Sequence, residues 1–382
     1  MTSVERREAR FIRRKQKRES RRDKFLAGYD DFSLVTDPNN LYQAFMKSKK
    51  GVGWKTSIQR YEMNILRNIA ETVKMLESGV SVARGFMEFD LTERGKTRHI
   101  RSVHVSERVV QKCLCDRVLV PMLSRFLIYD NGASMKGKGV HFSARRLTTH
   151  MAKYFRKNGT NDGYCLQIDF SKYFDRIVHR HLFDMIGKHV RDERVLRLLH
   201  DFVDPFGNGV SLGLGSQVSQ IAALFYANAV DQFIKNTLRI KSYGRYMDDL
   251  FLILPDKRDL KSVLEKIIRE CGRLRIKINT RKTRITKLGD GVLYLKGIYT
   301  LTPSGRIVRV ATGDSKRRMR RKLFKFRKLV MDGKMSASDA YASYQSWRGN
   351  QRKRFDSFYL VDRMDGLYNG LFINNRMEER YG

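Results

Sequence analysis

Two adjacent acids lie within one apolar stretch of the chain, Gly244-Arg245-Tyr246-Met247-Asp248-Asp249-Leu250-Phe251-Leu252-Ile253-Leu254. Apolar and aromatic residues on both sides of the acids predict a β-hairpin that carries the two carboxylates at its turn. Neighbouring carboxylates repel each other at low dielectric unless a cation or a proton lies between them. The pair therefore indicates a cation site, and the alternative is an ordinary Asp-Asp turn on the surface.

A third acid ends an earlier apolar run, which spans residues 163 to 170 and predicts a core strand. This acid, Asp169, lies at the strand end beside a turn, where a carboxylate is well placed to bind a metal ion, or equally to cap the next segment of the chain. Asp169 on one strand and Asp248 with Asp249 on another are able to hold two Mg²⁺ ions about 4 Å apart. Such a pair of ions drives phosphoryl transfer, so we predict these three residues to be catalytic metal ligands.

The composition favours a polyanionic partner. The 382 residues include 77 Lys and Arg against 40 Asp and Glu, a net charge of +37. Nucleic acid is the leading candidate, because each neutralised phosphate releases condensed counterions, and an anionic membrane is the weaker alternative. No apolar run approaches the roughly 20 residues of a spanning helix, and the first residues are charged, so we expect a cytoplasmic protein. The four cysteines show no zinc-ligand spacing.

Basic segments recur along the chain. Residues 6 to 24 hold eleven Lys and Arg and predict a flexible or helical arm that follows phosphates, with a solvated face as the alternative. Residues 82 to 105 predict a basic two-stranded hairpin. Nine of the thirteen residues 316 to 328 are basic and none is acidic, which predicts a helix that binds a nucleic-acid duplex.

Apolar periodicity predicts the other elements. We expect a helix that starts near Asp37, single helices over residues 58–76, 109–126 and 179–202, and an amphipathic helix over residues 260–274. Residues 276–283 and 292–299 are predicted as short strands.

Several ordered motifs together resemble a reverse transcriptase. Their order and separations over about residues 40 to 320 make the resemblance specific. The resembling segments are the YxDD box Tyr246-Met247-Asp248-Asp249, the box from Asp169 to Phe174, the segment Leu214-Gly215-Ser216-Gln217-Val218-Ser219-Gln220, the N-x-x-K-T-like stretch from Asn279 to Thr283, and the primer-grip-like Leu295-Lys296-Gly297.

The resemblance implies an α+β right-hand polymerase fold with an antiparallel palm sheet. It divides the chain into a basic N-terminal arm (1–36), fingers (37–150), a palm with the catalytic carboxylates (151–311) and a basic helical thumb (312–382). The implied activity is RNA-directed DNA synthesis that needs Mg²⁺, with Mn²⁺ as a substitute. The implied partners are an RNA template, a DNA primer and product, and deoxynucleoside triphosphates.

The resemblance also implies roles for single residues. Phe174, five residues after Asp169, takes the position of a steric gate, where its ring would collide with a ribose 2′-hydroxyl. Lys282 matches a lysine suspected of protonating pyrophosphate. The remaining residues expected to bind the nucleotide are Lys96, Arg98, Phe170, Gly215, Ser216 and Gln217.

The residues of the Leu214–Gln220 segment narrow the groups of reverse transcriptases that the chain resembles. Gly213, Gln217 and Gln220 stand where many group II intron and retron enzymes carry prolines. The segment is instead similar to that of diversity-generating retroelement enzymes and of bacterial reverse transcriptases associated with antiphage defence. A defence enzyme would work on a structured noncoding RNA, with a partner protein that the sequence does not identify. The rival from another class is a non-catalytic RNA-binding scaffold with a polymerase-like fold.

Overall fold

A computed structural model describes residues 2–93 and 95–374 of the chain. Its α-helices, in chain order, are α1 (Ser3–Tyr29), α2 (Ser33–Thr36), α3 (Pro38–Lys49), α4 (Thr56–Met63), α5 (Ile65–Glu77), α6 (Val105–Leu114), α7 (Val120–Ser124), α8 (Val140–Asn158), α9 (His179–Gly187), α10 (Glu193–Val203), α11 (Gln217–Tyr226), α12 (Asn228–Gln232), α13 (Lys257–Arg273), α14 (Gly313–Met331), α15 (Ala337–Arg354) and α16 (Phe358–Asn369). Single π-turns lie at Cys115–Leu119, Phe233–Thr237 and Gly370–Asn374, and 3₁₀ turns at Phe174–Arg176 and Asp204–Phe206.

The strands form three antiparallel sheets. They are β1 (Phe86–Glu93), β2 (Lys96–Val103), β3 (Tyr164–Asp169), β4 (Tyr243–Tyr246), β5 (Asp249–Leu254), β6 (Arg284–Lys287), β7 (Val292–Tyr294), β8 (Gly297–Leu301) and β9 (Ile307–Ala311). The sheets are the hairpin β1-β2, the four-stranded sheet β4-β5-β3-β6 and the three-stranded sheet β7-β8-β9. The predicted α+β class with an antiparallel sheet is confirmed.

The chain divides into two compact units. The first consists of residues 1–136, 170–239 and 266–279, and the second of residues 137–169, 240–265 and 280–382. Among the helices described above, none is both long and apolar enough to cross a membrane.

Helix caps and buried apolar residues organise the first unit. Asp37 caps α3 by accepting a hydrogen bond from the backbone N–H of Asn40, and proline takes the first helical position, as predicted. The long N-terminal helix α1 ends where the Asp30 carboxylate accepts hydrogen bonds from the backbone N–H groups of Arg191 and Asp192 at 2.7 and 3.2 Å. These bonds connect the end of the predicted arm to the loop before α10.

The second unit has two cores. In the larger core, α8 packs its apolar face against the four-stranded sheet and the three-stranded sheet, with Leu147, Met151, Phe251 and Tyr299 at its centre. A smaller core joins α14, α15 and α16 and includes the stacked rings of Tyr344 and Tyr368, 4.8 Å apart. The helix α8 therefore covers one face of the four-stranded sheet, and the strand ends of this sheet carry the predicted acids.

The structure corrects several predicted elements. Residues 276–283 form no strand, since only Ile278 makes a single bridge, to Phe170, and the strand begins at Arg284. The predicted helix over residues 58–76 is two helices interrupted at Asn64. The predicted helix over residues 179–202 is also two, because Asp192 starts α10 with its own side-chain cap. At Asp192, the side-chain cap interrupts a run of apolar periodicity that continues across the break.

Candidate active site

The strand register brings the predicted acids together. β3 pairs with β5 so that Asp169 lies directly opposite Asp249, and β4 pairs with β5 so that Tyr246 also faces Asp249. The predicted hairpin is present, but its two-residue turn consists of Met247 and Asp248, and Asp249 is the first residue of β5 instead of a turn residue. Directly opposite residues of an antiparallel pair have Cβ atoms about 5 Å apart, so two carboxylates share one end of the sheet and the third lies at the adjacent turn.

A buried arginine supports this turn. Met247 adopts a positive φ of 55°, which is uncommon for a residue with a side chain. Arg245, which is fully buried, donates a hydrogen bond from Nη1 to the Met247 carbonyl oxygen at 3.0 Å. Arg245 had no predicted role. A charged residue inside an apolar strand was the signal that could have found it, because a buried guanidinium needs fixed acceptors.

Burial and the neighbouring charges raise the pKa of two of the three carboxyl groups. Burial, then the charges of Asp248 and Asp169, raise the pKa of Asp249 to about 7. Burial and the charge of Asp169 also raise the pKa of Asp248, against the opposing charges of Lys282 and Arg245. Perturbed carboxyl groups at one sheet end are typical of functional sites, and their excess negative charge attracts a cation.

Lys282 already supplies one cation. Its Nζ lies 2.6 Å from Oδ2 of Asp169, while about half of its side chain remains exposed. Burial lowers the pKa of Lys282, but the hydrogen bond and charge of Asp169 and the charges of Asp249 and Asp248 outweigh it and raise that pKa. Lys282 was predicted to act on pyrophosphate, and that role stays a prediction. In this structure its partner is the carboxylate itself.

The donor chemistry of the site fits a hard divalent ion, because carboxylate oxygens are the ligands that Mg²⁺ prefers. Within residues 2–93 and 95–374, however, no three His, Cys, Asp or Glu side chains converge closely enough to hold a metal ion. The charges of the three acids influence one another, but their carboxylates do not converge on a single metal position.

A cavity of about 320 Å³ opens beside the acids. Two of its walls differ in charge: Asp169 and Asp249 line one part, and Arg281, Lys282 and Arg284 line another. Arg284 donates from Nε to Oε1 of Gln167 on β3 at 3.0 Å. A cavity that presents acids beside several cations is suited to a metal-bound phosphate chain.

In the first unit, the predicted nucleotide-binding glycine segment begins α11. Gly215 has φ +118°, and a Cβ there would lie 3.0 Å from the carbonyl oxygen of Arg101, so this close approach requires glycine. Ser216 is fully buried and caps α11 by accepting from the N–H of Ser219 at 3.2 Å. Gln217, the first residue of the helix, is half-buried.

Two residues without a predicted role hold Ser216 in place. Its Oγ donates to Oε1 of Gln111 at 2.9 Å, and Gln111 in turn donates from Nε2 to Oε1 of Glu107 at 2.9 Å. Burial raises the pKa of Glu107. A Glu and a Gln four residues apart within an apolar helix were the available signal.

The other predicted nucleotide-binding residues also lie in the first unit. Phe170 is buried, with its ring 5.3 Å from that of Tyr173, whereas Phe174 is half-buried and starts a 3₁₀ turn. Arg98 lies on β2 opposite Leu91. The side chain of Lys96, on the same strand, lies outside the described part of the chain. The roles of these residues stay predictions.

The comparisons with known proteins agree with these features. A family model described as "Reverse transcriptase (RNA-dependent DNA polymerase)" matches residues 90–316, more than half of the chain, including all three acids. The chain belongs to the reverse transcriptase family. The predicted resemblance and the polymerase class of the fold are thereby confirmed.

Individual relatives are distant from this reverse transcriptase. "Protein YkfC" of Escherichia coli (strain K12) is 22% identical over 247 residues, which cover 53% of this chain and 62% of the relative. Telomerase from Candida albicans in complex with a fragment of telomeric RNA is similar over 77% of this chain and 55% of that one, at 12% identity and a TM-score of 0.48. Apo telomerase from Candida tropicalis is similar over 61% of this chain and 48% of that one, at 15% identity and a TM-score of 0.47. The chain thus spans less than two thirds of the length of each relative.

Proposed function

We propose that this chain is an RNA-directed DNA polymerase that extends a DNA 3′ end on an RNA template with deoxynucleoside triphosphates. The single observation that carries the proposal is the register of β3 and β5, which sets Asp169 opposite Asp249 at the end of a sheet and beside the Asp248 turn. Family membership over residues 90–316 supports it. The net charge of +37 favours nucleic acid as the partner.

Asp169, Asp248 and Asp249 are the proposed ligands of two Mg²⁺ ions, which Mn²⁺ would replace. Such ions, when bound, supply charge stabilisation to the transferred phosphoryl group and lower the pKa of the attacking hydroxyl. The protein's own contribution begins with Lys282, whose ammonium shields Asp169 and has to move off that carboxylate to free its oxygens. Arg281 and Arg284 flank the acids and are placed to hold the phosphates of an incoming nucleotide.

The proposed nucleotide-binding residues of the first unit are Lys96, Arg98, Phe170, Gly215, Ser216 and Gln217. The buried contacts of Gln111 with Ser216 and Glu107 keep the start of α11 fixed, which favours a preformed backbone surface. The division into arm (1–36), fingers (37–150), palm (151–311) and thumb (312–382) is part of this proposal, although residues 375–382 lie outside the described chain. The predicted cytoplasmic location is part of it as well.

For the biological role, we favour antiphage defence with a structured noncoding RNA and a partner protein. The alternative is a diversity-generating retroelement enzyme. The form of the Leu214–Gln220 segment supports both and does not separate them. A non-catalytic RNA-binding scaffold is disfavoured, because a scaffold has no use for three carboxylates at one sheet end, where burial and the neighbouring charges raise the pKa of Asp248 and Asp249.

Asp248→Asn tests the catalytic proposal. We expect primer extension to fall at least about a thousandfold, because one carboxylate of the metal site is lost. RNA affinity should stay within about twofold, because the change removes a negative charge and no phosphate contact. Primer-extension rates and filter binding measure the two quantities. Asp290→Asn, an exposed aspartate of the same unit, is the control, and extension by Asp248→Asn at the control's rate would refute the assignment.

Phe174→Ala tests the proposed steric gate. Removing the half-buried ring should raise ribonucleotide incorporation, relative to deoxynucleotide incorporation, by roughly tenfold to a hundredfold, the range expected for one apolar discrimination of about 1–3 kcal/mol. Competition between ribonucleotides and deoxynucleotides on one template measures the ratio. An unchanged ratio in a variant that still polymerises would assign Phe174 to the core.

A further inference from the structure

A second cavity in the second unit has a lining in which the residues able to carry a charge at neutral pH are basic. It encloses about 180 Å³ between the first turns of α8, the sheet β7-β8-β9 and the end of α15. His141, Arg145 and Lys353 are exposed at its rim, and Arg354 and Tyr299 are buried in its wall. Arg309 on β9 completes the cationic lining. The cavity shares no lining residue with the one beside the acids.

Little negative charge balances this lining. Arg309 is paired, because its Nη2 lies 2.6 Å from Oδ1 of Asp356. Among the described residues, no carboxylate forms an ion pair with Arg145, Lys353 or Arg354. Burial, then the charges of Lys353 and Arg354, lower the pKa of His141. Within the described part of the chain, Asp356 therefore balances Arg309, and the other cations of the lining have no carboxylate in an ion pair with them.

The buried arginine is held in a fixed position. Arg354 is 9% exposed and donates from Nε and Nη2 to the hydroxyl oxygen of Tyr299, at 3.4 Å each, and from Nη2 also to the carbonyl oxygen of Leu295. Its guanidinium carbon lies 4.9 Å from the ring centre of Phe355. A guanidinium that neutral acceptors already orient keeps its charge available to a ligand and loses little entropy when it binds one.

We infer that this cavity is a phosphate-binding site, separate from the carboxylate centre, which holds one phosphodiester group of a bound nucleic-acid strand. A guanidinium, an ammonium and an imidazole around a small space match a tetrahedral oxyanion that accepts several hydrogen bonds. The strand as the source of the phosphate rests on the proposed function, whereas the anion site itself rests only on the cavity. The strongly basic helix α14 in the same unit supports a strand over a small carboxylate.

The test compares the double variant Arg145→Gln/Lys353→Gln with the matched control Lys257→Gln/Lys261→Gln, which removes two exposed cations from α13. The probes are an abasic phosphodiester oligomer and, separately, inorganic phosphate. Imidazole NMR of His141, assigned with His141→Gln, reports on the cavity. We expect the oligomer to raise the pKa of His141 in the control, because it supplies the missing negative charge.

In the double variant, the affinity for the oligomer should fall about tenfold, as expected for lost charge-assisted hydrogen bonds. The slope of log affinity against log salt should also become shallower by about one, because the cavity holds one phosphate of the strand. Equal losses in the control, or a His141 resonance that responds to neither probe, would overturn the site. A response to inorganic phosphate alone would overturn the strand as its ligand. Since nucleotide incorporation is not measured, an inactive polymerase does not affect the result.

Discussion

The cavity beside the acids and the basic cavity differ in how their charge is balanced. Beside the acids, Asp169 and Asp249 share the lining with Arg281, Lys282 and Arg284, and the Lys282 ammonium lies directly on a carboxylate. In the basic cavity, Arg309 is paired with Asp356, which lies outside the lining. In the cavity beside the acids, the Lys282 ammonium takes the place of a bound cation. In the basic cavity, the described residues provide no anion that would take the place of a bound anion in the same way. An internal cation can be exchanged for a metal ion, whereas cations without a carboxylate partner favour an anion from outside.

A substitution beside the acids, Asp249→Asn, should change the stability of the protein more than one in the basic cavity, His141→Gln, and with the opposite dependence on pH. Folding raises the pKa of Asp249 to about 7 from an ordinary value near ~4, so the folded chain binds a proton more tightly than the unfolded chain. This stabilisation is complete below about pH 4 and is lost as the pH rises through 7. Without metal at pH 8, Asp249→Asn should therefore be more stable than the wild type by on the order of 2 kcal/mol.

Urea denaturation of the metal-free protein at pH 4.5 and pH 8 measures this difference. It should be small at the lower pH, and Asp290→Asn should show none at either. Added Mg²⁺ should stabilise the wild type at pH 8 more than it stabilises Asp249→Asn, because only the wild type regains a neutralised carboxylate. If the variant is equally destabilised at both pH values, Asp249 is neutral for a structural reason. The difference in charge balance between the two cavities would then disappear.

The sequence predicted the residues of the cavity beside the acids but not those of the basic cavity. The acids were predictable because carboxylates among apolar strand residues are rare and must be compensated, and the hairpin fixes the positions of Asp248 and Asp249. The opposition of Asp169 and Asp249 depends on strand register, which the spacing of the two segments in the chain does not determine. His141, Arg145, Lys353 and Arg354 are separated by some two hundred residues and looked like ordinary surface charge.

The supporting contacts were the least predictable part. Arg245 and Gln111 act through buried hydrogen bonds to Met247 and Ser216, and no local pattern states which acceptor a buried polar group will find. The strand predicted over residues 276–283 failed for a related reason. Its alternating residues fit a strand, but Ile278 makes only one bridge, and pairing with β3 begins at Arg284.

His141→Gln should show the smaller effect, with the opposite dependence on pH. Burial and the charges of Lys353 and Arg354 lower the pKa of His141 below its ordinary value near ~6.5, so the folded chain binds this proton less tightly than the unfolded chain. Wild-type stability from this residue is therefore present above about pH 6.5 and is lost as the pH falls through the lowered pKa. At pH 5 the variant should be more stable than the wild type by at most a few tenths of a kcal/mol, because solvent screens an exposed ring. At pH 8 the two should be equally stable.

His99→Gln is the control of opposite sign. Hydrogen bonds to Asp90 and Glu88 raise the pKa of His99, so the loss of this histidine should destabilise the protein at pH 5. Should His141→Gln instead lose stability at pH 5, an acid would have to neutralise the basic cavity in solution, and the cavity would need no external anion.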